Sequence, residues 1–197
     1  MAINLVKGDN FSLSNSLSHV SVGLGWDPSR NPGNPYDLDA SAFMLGHNGR
    51  LIADEYFVFY NNQTSPDGAV QSSGDDLTGG NSDGGDDEKL SVDLVHVNPR
   101  VQEILFTVTI HKAEERGQNF GQVHNAYIRI YNEENQQEIA RYDLNEDFSV
   151  ETAVEFGRLY RSFGEWKFEA LGIGRKGGLH QFGKREWRKT DQLLCRL

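Results

Sequence analysis

Between Gly74 and Glu88 the sequence reads GDDLTGGNSDGGDDE, six carboxylates (Asp75, Asp76, Asp83, Asp86, Asp87, Glu88) and five glycines in fifteen residues. No lysine, arginine or histidine lies between Arg50 and Lys89 to offset that charge. Carboxylates at such spacing repel one another by roughly a kcal/mol or more per pair when partly buried. The segment must therefore either splay into water as a solvated acidic loop or hold a cation. Glycines allow sharp bends that turn carbonyl oxygens inward, and hard cations such as Ca²⁺ take six to eight oxygens at about 2.3–2.6 Å. The pattern is not an EF-hand, because the acids and the glycine do not fall at that loop's positions.

A second acidic pair sits in Tyr36–Leu45, YDLDASAFML, which alternates with period two. On a strand Asp37, Asp39 and Ser41 share one face, with Leu38, Ala40 and Ala42 on the other, and the two aspartates stand about 7 Å apart. Either they line a solvent-facing strand or they join the loop in one site. The aromatic run Tyr56–Tyr60 would bring Asn61 to a neighbouring end. Asp37, Asp39, Asn61 and loop carboxylates together supply enough oxygens for calcium.

Other chemistry is poorly supported. The six histidines (19, 47, 96, 111, 124 and 180) show no paired metal spacing, and the single cysteine, Cys195, excludes an intrachain disulfide and argues against zinc. No nucleophile motif stands out, so no catalytic residue is assigned and a non-enzyme is expected. Gly172–Gly177, GIGRKG, matches G-x-G-x-x-G, but no following strand completes a nucleotide-binding unit, and it reads as a turn after a hairpin. A small-molecule or nucleotide binder, or an enzyme, using these glycines and Arg175 is the alternative function.

Elements that would position these residues follow from the alternation. Short strands are expected across Met1–Leu24, Tyr36–Leu45, Tyr56–Tyr60, Leu90–Leu94, Ile104–His111, Ala126–Asn132 and Ile139–Leu144, with a hairpin turn at the Asn-Gly of residues 47–50. Thr152–Arg161 and Glu165–Leu171 read as a closing hairpin, with Val154, Phe156 and Tyr160 on one face; a helix is the alternative for the first. Single helical turns are expected at Pro99–Glu103 and Lys112–Gly117. The sum is a mainly β protein, a β-sandwich of two antiparallel sheets with one or two short helices.

Net charge is −10 over 197 residues, which argues against a nucleic-acid partner. The first residues lack a signal-peptide pattern, and no apolar run is long enough to cross a bilayer, so a cytoplasmic protein with no direct membrane insertion is expected. The end is different: Arg175–Leu197 holds seven basic residues and two acids. It is a solvated terminus, or a docking arm for an acidic partner.

Several blocks in order, GLGWDP (23–28), YDLDAS (36–41), FYNNQTSPDGAV (59–70), GDDLTG (74–79), GGDDE (84–88), QNFGQVHNAYIRIYN (118–132), EIARYDL (138–144) and GEWKFEALGIG (164–174), resemble the TerD family of tellurium-resistance and bacterial stress-response proteins. The resemblance runs from about residue 2 to 179, giving a domain over 1–179 and a basic tail, 180–197, that is atypical of the family. It implies a β-sandwich, a cytoplasmic bacterial location and Ca²⁺ binding. The family's acidic positions fall on Asp37, Asp39, Asn61, Asp75, Asp83, Asp86, Asp87 and Glu88, with Asp76 where an asparagine is usual. The partners implied are other Ter-type stress proteins, including a membrane-embedded one. Direct tellurite reduction would want a pair of thiols, which one cysteine cannot supply.

Overall fold

The alternating segments become strands in a computed structural model of the chain, which describes residues 2–14, 16–30, 34–80, 85–144 and 148–177. In order these are β1 (Ile3–Asn4), β2 (Asn10–Ser12), β3 (His19–Gly25), β4 (Leu38–Leu45), β5 (Phe57–Val58), β6 (Val70–Ser72), β7 (Glu88–Asp93), β8 (Glu103–Ile110), α1 (Ala113–Arg116), β9 (Tyr127–Asn132), β10 (Glu138–Asp143), β11 (Ala153–Ser162) and β12 (Glu165–Arg175). One sheet runs β1-β10-β9-β3-β7-β6 and the other β2-β12-β11-β8-β4-β5. All strand pairs are antiparallel except β1 with β10. This is the expected two-sheet sandwich.

Alternation explains the core between the sheets. Val20, Val22 and Leu24 of β3 and Ile128 and Ile130 of β9 face Leu38, Ala40, Ala42 and Met44 of β4, Phe106 and Val108 of β8, and Phe156 of β11. A smaller apolar cluster covers part of the second sheet's outer face, where Phe43, Leu45, Phe57, Phe59 and Leu105 meet. There the rings of Phe43 and Phe57, and of Phe57 and Phe59, stack at 4.4 Å. The aromatic run is thus buried on both faces, with Val58 in the main core and its phenylalanines outside.

Three expectations are corrected. Pro99–Glu103 forms no helix: the Arg161 guanidinium donates to the carbonyls of Val101 (3.1 Å) and Val97 (3.2 Å), and Val101 is buried as the chain extends into β8. In β11 a bulge between Glu155 and Gly157 shifts the register, so Leu159 enters the core and Tyr160 turns outward. Gly157 permits this, because a Cβ there would lie 2.8 Å from the Glu169 carbonyl oxygen. Finally, GIGRKG is not a turn: β12 continues to Arg175, with Gly174 opposite Val154 and Arg175 opposite Ala153. Residues 178–197, including the basic tail, lie outside the described residues.

Candidate metal centre

The centre forms where β4 lacks a neighbour. β5 pairs only with Ala42 and Phe43, so among the described residues no strand pairs with the first half of β4 on that side. Glu88, the first residue of β7 in the opposite sheet, fills the gap. Its Oε2 accepts the Ala40 N–H at 2.7 Å and its Oε1 accepts the Asp76 N–H at 3.3 Å. One buried carboxylate therefore stitches the acidic segment to β4.

This brings Asp75 to the two strand aspartates. Asp37, Asp39 and Asp75 each offer a carboxylate oxygen, and these oxygens lie within 4.8 Å of one another. Asp37 and Asp39 are only 5% exposed, so they do not form a solvent-facing strand edge; Asp75 opens to solvent. Asp37 Oδ1 is buried with no hydrogen-bond partner among the described residues. Two basic side chains approach from one flank, both beyond hydrogen-bond distance: Arg116 Nη1 is 3.7 Å from Asp37 Oδ2 and His111 Nδ1 is 3.9 Å from Asp39 Oδ2. The Tyr60 ring stands edge-on to His111 at 6.4 Å.

The electrostatics are those of acids short of positive charge. Burial, with Asp37 and Asp75 adding to it, pushes Asp39 up to about 8. Burial pushes Glu88 up to about 9 against the pull of the Ala40 N–H, with Asp39 and Asp75 raising it further. Asp37 is raised by burial despite His111 and Arg116. Burial and then the same aspartates lift the Tyr60 phenol to about 12.

The remaining acids of the segment go elsewhere. Asp86 lies on the outer face of the first sheet, where Arg129 grips both its oxygens (2.7 and 3.0 Å) and the Tyr127 hydroxyl donates at 3.2 Å. Asp87 caps the end of β3, accepting the Trp26 N–H at 2.8 Å. Asp76 Oδ1 accepts the N–H groups of Thr78 and Gly79, both at 2.9 Å. Asn61 is exposed in the turn after Tyr60. Asp83 lies outside the described residues. Sequence reasoning did not single out His111, Arg116 or Tyr60 for the site. Alternation in ILFTVTIH could have found His111, which shares the outer face of β8 with Thr107 and Thr109.

An all-oxygen group of three carboxylates, two of them buried and one of these with an unpartnered atom, fits a hard cation such as Ca²⁺ and does not suit a thiol-seeking metal. The class defined by fold and site is a β-sandwich with an acidic junction between its sheets. A TerD domain model matches residues 1–185, and the chain belongs to the TerD family. It is 53% identical to the tellurium resistance protein TerD of Serratia marcescens over 182 residues, 91% of this chain and 94% of that one. It is 49% identical to general stress protein 16U of Bacillus subtilis, again over 91% and 94%. A solved Streptomyces coelicolor homologue of the telluride resistance protein shares the fold, with a TM-score of 0.72 at 24% identity, covering 85% of this chain and 95% of that one. Family and relatives place this chain among tellurium-resistance and stress-response proteins. Among the described residues no helix is long and apolar enough to cross a membrane.

Proposed function

We propose that the protein is a calcium-binding stress-response module, in which the ion joins the acidic segment to β4 and orders the surface around that junction. The observation that carries this is the unpartnered, buried Asp37 Oδ1 inside a group of three carboxylates. Asp37, Asp39 and Asp75 would hold the ion. Glu88 would hold the loop against β4 through the N–H groups of Ala40 and Asp76. The ion supplies charge neutralisation and no chemistry on a substrate, so the reading is of a binding module and not an enzyme. Its setting is the cytoplasm, and its partners are other Ter-type stress proteins in a membrane-associated complex.

Ca²⁺ binding to the folded state alone raises stability by about 2.7 kcal/mol at a hundredfold excess over Kd. The test is calorimetric titration with Ca²⁺, with thermal melts in Ca²⁺ and in chelator. A saturable binding heat and a higher Tm in Ca²⁺ are expected. No heat and superimposable melts at millimolar Ca²⁺ overturn the reading.

A further inference from the structure

Two buried atoms of opposite character meet at this junction, and neither has a hydrogen-bond partner among the described residues. Asp37 Oδ1 is an acceptor that receives no donor. Arg116 Nη1, 3.7 Å from Asp37 Oδ2, is a donor that reaches no acceptor. A calcium ion satisfies the first and repels the second, and a buried guanidinium N–H needs an oxygen.

The backbone holds Arg116 in this offset position. α1 is a single turn bracketed by two left-handed residues, Lys112 (φ 51°) and Gly117 (φ 63°). Just beyond it the Gln118 side chain donates to the carbonyls of Pro35 (3.0 Å) and Asn34 (3.3 Å), tying α1 to the segment that carries Asp37. His111 stands on the same flank, 3.9 Å from Asp39. The flank carries the Arg116 guanidinium, and the carboxylates opposite it open to solvent at Asp75.

Three carboxylates leave positions unfilled on an ion that takes six to eight oxygens. A dication beside three carboxylates and one guanidinium leaves no net charge to repel an anion. We infer that the junction binds a divalent cation and a phosphate monoester together, with the phosphate oxygens shared between the ion and the Arg116 guanidinium. This rests on the calcium reading above. Arginine's planar fork and the tetrahedral oxygens of phosphate suit such bridging. The phosphate is either that of a soluble monoester or that of a lipid headgroup.

The experiment is Ca²⁺ titration of the full chain with and without phosphoserine, and sedimentation with phosphatidylcholine vesicles with and without phosphatidic acid, in Ca²⁺ or chelator. Phosphoserine or phosphatidic acid is expected to tighten Ca²⁺ binding by at least about fivefold, and Ca²⁺ to tighten anion binding equally, as linkage requires. An effect of phosphoserine alone identifies a soluble ligand; capture by phosphatidic acid vesicles only in Ca²⁺ identifies a lipid headgroup. Arg116→Gln is expected to bind Ca²⁺ alone at least as tightly as the natural protein and to lose the tightening. If Arg116→Gln does not fold, Arg116→Lys carries the test: diminished tightening supports the inference and undiminished tightening overturns it. Ca²⁺ binding that neither phosphate source alters, or tightening that persists in Arg116→Gln, also overturns it. Absence of any Ca²⁺ binding instead overturns the calcium reading and this inference with it.

Discussion

Arg129 and Asp86 form a two-pronged ion pair on the outer face of the first sheet, Nε to Oδ1 at 2.7 Å and Nη2 to Oδ2 at 3.0 Å. The carboxylate lies over Gly23 of β3, where a side chain would overlap it. The glycine, the arginine and the aspartate thus belong to one arrangement, which anchors the far end of the acidic segment to the sheet opposite the one that holds Asp37 and Asp39.

Asp86 is accordingly expected to act on stability and Asp37 on calcium. Asp86→Ala removes both close acceptors of a partly buried guanidinium, leaving it the Glu138 carboxylate at 3.7 Å, and costs about 3 kcal/mol in urea unfolding, at the lower end for breaking such a pair. It leaves Ca²⁺ affinity within about threefold, whereas Asp37→Asn weakens it at least about tenfold. Calorimetry on the two variants would reverse the assignment of ligands if Asp86→Ala alone lost the binding heat.

The raised acids make stability depend on pH with a definite sign. Folded Asp39 and Glu88 titrate at about 8 and about 9, above the ordinary carboxylate range they return to on unfolding. The folded state then holds more protons than the unfolded one, so stability falls as pH rises. The penalty is absent below about pH 4 and grows until pH passes the folded values. In chelator, Tm is expected to drop between about pH 5 and about pH 8. Ca²⁺ flattens that slope and binds with release of protons, read as a buffer-dependent calorimetric heat near neutrality. A Tm in chelator that rises over this range contradicts the assignment.

Phe163 is fully exposed at the β11–β12 turn with φ 52°, followed by Gly164 at φ 86°. Two successive left-handed residues suit Asn-Gly far better than Phe-Gly. Phe163→Asn should raise unfolding free energy by about 0.5–1 kcal/mol. An unchanged denaturation midpoint would show that the exposed ring makes a compensating contact.

Ser41 and Thr107 are cross-strand neighbours whose hydroxyl oxygens are buried without partners among the described residues. Thr107→Val keeps the shape and removes one of them. It is expected to leave stability unchanged or raise it by about 1 kcal/mol in denaturant melts. A clear loss would mean that the hydroxyl is bonded in solution.

Much of the fold was legible in the sequence because strand periodicity is local. YDLDASAFML and ILFTVTIH each show which face enters the core. The exceptions have local physical causes that alternation does not carry. A bulge at Gly157 moved Leu159 inward, and the Arg161 guanidinium holds the Val97 and Val101 carbonyls on either side of Pro99 as the chain extends into β8. For the site, the strand aspartates and the excess of charge were readable. The fate of each loop acid was not, since Asp75, Asp76, Asp86 and Asp87 are one residue type among glycines.

By itself the sequence determined a two-sheet β protein with more carboxylates than its neighbourhood can neutralise. Only the tertiary structure decided how they are divided. Strand order places β7 beside β3, with β9 on the far side of β3, in one sheet and leaves the start of β4 open in the other. The segment leading into β7 therefore spans both layers, giving Asp86 to Arg129 and Asp75 to the strand aspartates. That division depends on pairings between residues far apart in the chain, such as Arg129 with Asp86 and Glu88 with Ala40, which no local period encodes.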